Sequence, residues 1–259
     1  MLLQNRVALV SGIGPGMGRD ISLAFSREGA DLVLAARSPA NLDPVAEEVR
    51  QLGRRVVALP TDIADPQQCT ALVEAAAAEL GGIDILVNNA FKGGVEPEFE
   101  TVDLARWREV FDVNVFGSLQ LTQKVVPHMK ARGGGSVVFI NSMSMRIIEA
   151  GMGGYAASKG ALMTAAQSLA KELGRHRIRV NSVVPGYIWS DKLAGYFRYL
   201  AKQQNRTYEE VHAEIAGRTA LNHIPDSAEI ADAVLFFASD LSRAITGQAL
   251  DVNGGHFFH

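Results

Sequence analysis

Ser11-Gly12-Ile13-Gly14-Pro15-Gly16-Met17-Gly18 stands where an apolar run, Val7-Ala8-Leu9-Val10, gives way to a stretch with helical patterning. Glycine tolerates positive φ and close backbone approach, and the first turn of a helix offers N–H groups that no carbonyl satisfies. A strand, a glycine turn and a helix N-terminus in that order can cradle a pyrophosphate. The spacing here is Gly12, Gly16, Gly18, a G-x-x-x-G-x-G arrangement rather than the common G-x-G-x-x-G. A tight turn with no ligand would use the same glycines, so the surroundings decide.

Downstream, short β-branched runs alternate with longer alanine- and leucine-rich stretches. Apolar periodicity predicts strands over 6–11, 31–36, 55–59, 83–88, 136–141, 179–184 and 249–252. Helices are expected over 16–27, 41–52, 66–80, 104–132, 154–173 and 227–238. Asp65, Pro66 and Gly81 supply the N-cap, first-turn proline and stop of the helix over 66–80, and Gly133-Gly134-Gly135 stops the long one. Near-continuous apolar strands separated by helices predict a parallel sheet covered on both faces. Right-handed crossovers then favour the doubly wound topology. The expected fold is α/β: one Rossmann-type domain over 1–259, with about seven strands and helices on both faces. Only 190–224 breaks the rhythm, with helical patterning over 193–203 and 208–216. It is expected to be a lid over a site, with a peripheral helical hairpin as the alternative.

Composition narrows the function classes. The 259 residues are 47% hydrophobic and 20% charged, which excludes a disordered chain. The net charge is −3 with no basic stripe, so no nucleic-acid partner is expected. No apolar run approaches the length of about 18 residues that a spanning helix needs, so no membrane insertion is expected. Met1-Leu2-Leu3-Gln4 lacks a leader pattern, and Cys69, the single cysteine, excludes an intrachain disulfide. These features predict a cytoplasmic protein. Cys69 is read as helix packing, and the acidic run over 96–100 as a solvated loop. His128, His176, His212, His223, His256 and His259 show no ligand spacing, so no metal site is expected.

Two further stretches carry chemistry. In Val33-Leu34-Ala35-Ala36-Arg37 the strand end lacks the acid that would hold a ribose 2′-hydroxyl and offers an arginine that suits a 2′-phosphate. NADP(H) is therefore the preferred cofactor, with NAD(H) the alternative if Arg37 is merely solvated. Tyr155-Ala156-Ala157-Ser158-Lys159 sets a phenol and an ammonium four residues apart, on one helix face. A cation near tyrosine stabilises the phenolate and lowers its pKa, as reversible carbonyl reduction requires of a proton exchanger.

The glycine loop, Asn88-Asn89-Ala90, Asn114, Ser142, the Tyr-x-x-x-Lys pair and Pro185-Gly186 follow one another in an order that resembles the short-chain dehydrogenase/reductase family from Arg6 to Gly255. The resemblance implies that Ser142 hydrogen-bonds the substrate oxygen and Tyr155 transfers the proton. It also implies that Lys159 binds the nicotinamide ribose and tunes Tyr155, while Asn114 anchors a water chain to Lys159. Expected cofactor contacts are Gly12, Gly14, Pro15, Gly16, Met17 and Gly18 in the loop, then Arg37, Asp62, Ile63, Asn89 and Ala90. Tyr155, Lys159, Pro185, Gly186, Ile188 and Ser190 complete them, Ser190 standing where the family has a threonine on the carboxamide. Three departures stand out. Phe91 replaces the glycine of Asn-Asn-Ala-Gly, so either the pocket is narrowed or positive φ is not needed there. Asn253 replaces an aspartate, read as structural. Ser144 adds a hydroxyl beside Ser142.

Residues expected around the substrate include Phe91, Met143, Met145, Ile147, Met152, Tyr187, Trp189, Leu193, Tyr196 and Phe197, which suit a hydrophobic alcohol or ketone, unless they are plain core. Lys92 and Arg146 are expected in the same region and could bind a carboxylate, the alternative being that they are solvated cations, as single exposed cations usually are. Ala156, Ala157, Gly160, Ala161, Ala165 and Ala166 form a small-residue face, and Phe257 and Phe258 would be exposed in a monomer. Together with the resemblance these imply a homo-oligomer, a tetramer. Competing readings are a nucleotide-binding regulatory protein without turnover, and a family member performing epimerisation or dehydration.

Overall fold

A computed structural model describes residues 1–258, so His259 lies outside the described residues. Seven parallel strands form one sheet in the order β3-β2-β1-β4-β5-β6-β7. They are β1 (Val7–Ser11), β2 (Asp31–Ala36), β3 (Val56–Pro60), β4 (Ile85–Asn88), β5 (Gly135–Ile140), β6 (Ile178–Pro185) and β7 (Ala249–Val252). The order reverses between β1 and β4, and the splayed loops leave a crevice at their C-terminal ends.

Alternation along the strands feeds two cores, as side chains of period two require. Ala8, Val10 and Leu34 pack beneath α1 (Met17–Arg27), α2 (Pro39–Gln51) and α9 (Ser227–Ala238). Leu9, Val33 and Val137 face α3 (Pro66–Leu80), α5 (Ser118–Ala131) and α6 (Gly153–Leu173). The Asp65 side chain accepts from the backbone of Gln67 and Gln68 at 2.8 and 3.2 Å, and Gly81 ends α3 at φ 84°, as the sequence predicts. Strand and helix boundaries fall within one or two residues of expectation, with one exception.

The exception is the helix expected over 104–132. It is α4 (Leu104–Phe111), a π-helical turn (Asp112–Gly117) and then α5. A π turn holds one extra residue, so it rotates the helix beyond it and turns Asn114 inward. Gly117 makes room for it: a Cβ there would lie 3.0 Å from the Ile63 side chain.

The segment over 190–224 forms α7 (Asp191–Gln203) and α8 (Tyr208–Gly217). Ser190 caps α7 through Leu193 N–H, and Thr207 with Glu210 forms a capping box on α8. Phe197, Val211, Ile215 and Ile224 make a small separate core, with Trp189 and Leu193 packed on it. Phe197 is fully buried and Trp189 meets it at 6.0 Å between ring centroids. These two aromatics, expected at the substrate, pack the core of the hairpin.

Candidate active site

The glycine turn is built from both sides of the crevice. Ser11 Oγ donates to Val87 O at 3.3 Å and accepts from Asn89 N–H (3.2 Å) and Ala90 N–H (3.3 Å). Asn89 Nδ2 donates to Gly12 O at 2.8 Å. The Asn89 side chain is thus occupied in tying the turn to the end of β4. Gly12 sits at φ +78°, and a Cβ would fall 2.5 Å from Ala90 Cα; at Gly18 it would fall 2.5 Å from Gly12 O. Gly14 and Gly16 meet nothing within 4 Å. Pro15 is exposed beside them, while the Met17 side chain packs on the core. Two glycines therefore serve packing and two leave the surface open.

The fit to a dinucleotide rests on these features. The first turn of α1 has no side-chain cap, so its N–H groups are available to an anion. A cleft of about 510 Å³ runs from Gly12 past Arg37, Ser38 and Asn41 to Asp62 and Ile63, with Ala90 and Phe91 at its other wall. Arg37 is exposed and makes no ion pair or side-chain hydrogen bond among the described residues. Asp62 is half-buried, its carboxylate accepting from Ala64 N–H; Ile63 is core that borders the cleft. Pro185 and Gly186 close β6, where a Gly186 Cβ would crowd Asn253 Cβ at 2.8 Å. Ile188 packs partly on the first core, and Ser190 is exposed with its hydroxyl capping α7.

We predict that Gly14→Ala leaves the thermal midpoint nearly unchanged but weakens cofactor binding, because only the open face gains a methyl group. Gly12→Ala should destabilise the fold itself by about 2 kcal/mol or more, from crowding and a left-handed backbone. Melting curves with and without cofactor separate the two.

The proton-transfer candidates converge at the C-terminal ends of β4 and β5. Tyr155 and Lys159 share one face of α6, with Lys159 Nζ 5.6 Å from the phenol ring centroid. Lys159 is 3% exposed and donates to Ile140 O at 2.7 Å. Ser142 follows β5; its Oγ lies 2.6 Å from Ser144 Oγ and accepts from Ser144 N–H at 3.2 Å. Asn114 is fully buried. Its Nδ2 donates to Lys92 O (2.9 Å) and Ser158 Oγ (2.9 Å), and its Oδ1 accepts from Lys92 N–H (2.7 Å). It clamps the loop after β4 onto α6, and Ser158 is a partner that the motif alone did not single out. That clamp leaves Gly93 against the Tyr155 ring, 2.6 Å from a Cβ it lacks.

The electrostatics modify the sequence expectation. Burial pushes the Tyr155 phenol above its ordinary value, with the Ser142 hydroxyl pulling the other way. Burial also lowers Lys159 from 10.5 to about 8. Burial thus opposes the phenolate that a nearby ammonium favours. The buried lysine also makes stability depend on pH. Below about pH 8 both folded and unfolded chains carry this ammonium. Between about 8 and 10.5 only the unfolded chain does, so wild-type stability is predicted to rise with pH relative to Lys159→Met. Denaturant melts of both proteins at about pH 7 and pH 10 measure the change; a constant difference contradicts it.

Other expected pocket residues divide. Phe91 is 61% exposed and packs edge-on to Tyr155 at 6.2 Å, and its φ is not positive, so no glycine is required there. Met143 is buried beside Gly186, and Tyr187 stacks on His256 at 5.8 Å. Arg146 is not a solvated cation. It pairs with Asp251 at 3.3 Å, both largely buried, under the Phe257 ring at 5.9 Å. Phe257 is consequently half-buried, and only Phe258 of the two is exposed. Lys92 pairs with Glu109 on the surface. Asn253 is structural, as expected: it accepts from Gly255 and His256 N–H and donates to Phe257 O.

Comparison with known proteins agrees with this geometry. Residues 12–256 match the family model described as Enoyl-(Acyl carrier protein) reductase. The chain is 33% identical over 253 residues to the 7alpha-hydroxysteroid dehydrogenase of Escherichia coli K12, covering 98% of this chain and 94% of that one. Carveol dehydrogenase from Mycobacterium avium, solved in complex with NAD, has a TM-score of 0.92 at 29% identity and covers 98% of each chain. L-Sorbose reductase from Gluconobacter frateurii, solved with NADPH and L-sorbose, also reaches 0.92 at 29% identity, with 99% and 98% coverage. Likeness of this extent defines an NAD(P)-dependent oxidoreductase acting on alcohol and ketone groups. The chain belongs to the short-chain dehydrogenase/reductase family. No helix among the described residues is long and apolar enough to cross a membrane.

Proposed function

We propose that the protein interconverts a hydrophobic alcohol and its ketone with NADP(H), using Tyr155 as the proton exchanger. The observation that carries this reading is the Tyr155–Lys159 pair beside Ser142, with Tyr155 packed against Phe91 of the cleft that begins at the glycine turn. A bound nicotinamide supplies or accepts the hydride. During reduction the Tyr155 phenol gives its proton to the substrate oxygen, and during oxidation the phenolate takes it back. The Ser142 hydroxyl holds that oxygen, with Ser144 fixing the direction of its lone pairs. Lys159 binds the nicotinamide ribose and, when charged, favours the phenolate; Asn114 keeps the covering loop in place and supports a water chain to Lys159. The other expected cofactor contacts, from the glycine loop to Ser190, line the rest of the binding path.

NADP(H) is favoured because Arg37 is uncommitted and no acid ends β2. The apolar substrate is supported by Phe91, Met143, Met145, Ile147 and Tyr187, and by relatives named for a hydroxysteroid and for carveol. The hairpin of α7 and α8 follows directly from the C-terminal end of β6, the position a lid would occupy. A homotetramer in the cytoplasm belongs to the same reading. It is supported by exposed Leu104 and Phe116, the small outer face of α6, and a lone buried cysteine. Screening alcohols and ketones with both cofactors tests the whole: stoichiometric change in reduced-nicotinamide absorbance is expected. Cofactor binding without turnover across the panel would favour a regulatory binder.

A further inference from the structure

A concentration of positive charge lies at the opposite end of the sheet from the glycine turn. A groove of about 640 Å³ crosses the entries of β4, β5 and β6 and the turn before β7. Five guanidinium groups line it (Arg6, Arg132, Arg177, Arg179 and Arg243) against two carboxylates, Asp84 and Asp240. The chain as a whole carries −3, so this concentration of positive charge runs against the bulk.

Its members are not equivalent. Buried Asp84 accepts from Arg132 Nε at 2.7 Å and from Val7 N–H at 2.8 Å, with Arg6 3.5 Å away; Arg6 also reaches Asp240 at 3.8 Å. Those contacts use both carboxylates. Arg179 spends its guanidinium on neutral acceptors, namely Phe237 O (2.8 Å), Ser239 O (3.1 Å) and Ser242 Oγ (2.6 Å). Burial lowers its pKa; Asp240 opposes this and Arg6 adds to it. Arg177 and Arg243 are exposed and have no ion pair or side-chain hydrogen bond among the described residues. Beyond the rim, His176 is held below its ordinary value by burial, Lys130 and Arg175, so the positive field extends past the groove.

The backbone brings the two uncommitted arginines together. Arg177 stands immediately before β6 and Arg243 in the turn that leads to β7, and both line this groove. Arg177 is held at φ +57°, and its carbonyl accepts from Gly135 N–H at 3.2 Å. The floor is Gly133-Gly134-Gly135, and at Gly134 a Cβ would strike Arg177 O at 2.7 Å. At Gly133 a Cβ would meet nothing within 4 Å, so the groove is open there. Two uncommitted planar forks lining one groove suit neighbouring phosphates better than a single carboxylate.

We propose that this groove is a second ligand site, for a small di- or triphosphate anion, separate from the dinucleotide cleft. The probe is inorganic pyrophosphate, titrated by calorimetry at low salt into enzyme already saturated with its nicotinamide cofactor. One site is expected, weakening with salt and by at least about tenfold in the double variant Arg177→Asn/Arg243→Gln. Asparagine is chosen at 177 because it tolerates the left-handed backbone. Turnover of the variant should match wild type, and Arg243→Gln alone, on an exposed turn, should show part of the loss if the pair fails to fold. Absence of binding to wild type, unchanged binding to the folded variants, or loss only in Arg37→Ala would overturn the proposal, the last by returning the anion to the dinucleotide cleft.

Discussion

Tyr155→Phe is expected to lower kcat by about a thousandfold while leaving cofactor affinity within about threefold. The change removes one oxygen and keeps the ring. The ring is what the fold uses: Phe91 packs on its edge and the Gly93 backbone lies against its face. Those contacts survive, so the loop after β4 and the Asn114 clamp should keep their places. What disappears is the only phenol on the Lys159 face of α6 close to Ser142. No neighbour can substitute. The serine hydroxyls are much weaker acids, and Lys159 Nζ is directed at Ile140 O. Steady-state rates by nicotinamide absorbance, with cofactor titrations by fluorescence, give both quantities. Activity retained within a few-fold would remove Tyr155 from its role, whereas parallel loss of cofactor affinity would point to a collapsed loop.

The same residues show what a one-dimensional reading can reach. The glycine turn and the Tyr155–Lys159 face were legible because both are local: each depends on spacings of a few residues along one element. The sheet was legible because strands buried on both faces are apolar throughout. The π turn at Asp112–Gly117 was not, since it leaves no periodic signature; only Gly117, forced by Ile63, hints at crowding. Arg146 and Asp251 lie far apart in sequence, so their pairing beneath Phe257 has no local signal either. Trp189 and Phe197 show an ambiguity of a different kind. A hairpin that packs its own core needs the same large apolar residues as a substrate pocket, and composition cannot separate them. Spacing reports the proximity of the ammonium to the phenol but not the burial that acts on both.

Arg37→Ala is expected to raise the Kd for NADPH by about 10- to 100-fold and to change that for NADH by less than about threefold. The argument is one of charge and position. β2 ends at Ala36, so Arg37 is the first residue beyond the strand, and it lines the cleft with Ser38 and Asn41 beside it. A 2′-phosphate there would meet a guanidinium that owes nothing to another group; nearby Arg19, by contrast, is already paired with Glu48. Charge-assisted hydrogen bonds to a phosphate contribute about 1.5–3 kcal/mol, which sets the size of the effect. The side chain is exposed, so salt should erode the NADPH advantage while leaving NADH binding nearly constant. Arg37→Asp should go further and reverse the preference, since a carboxylate repels the phosphate and accepts from a free ribose hydroxyl. Cofactor titrations at two ionic strengths test all three expectations. A wild type that binds NADH more tightly, or equal weakening of both cofactors in Arg37→Ala, would show that this arginine is only a solvated surface cation.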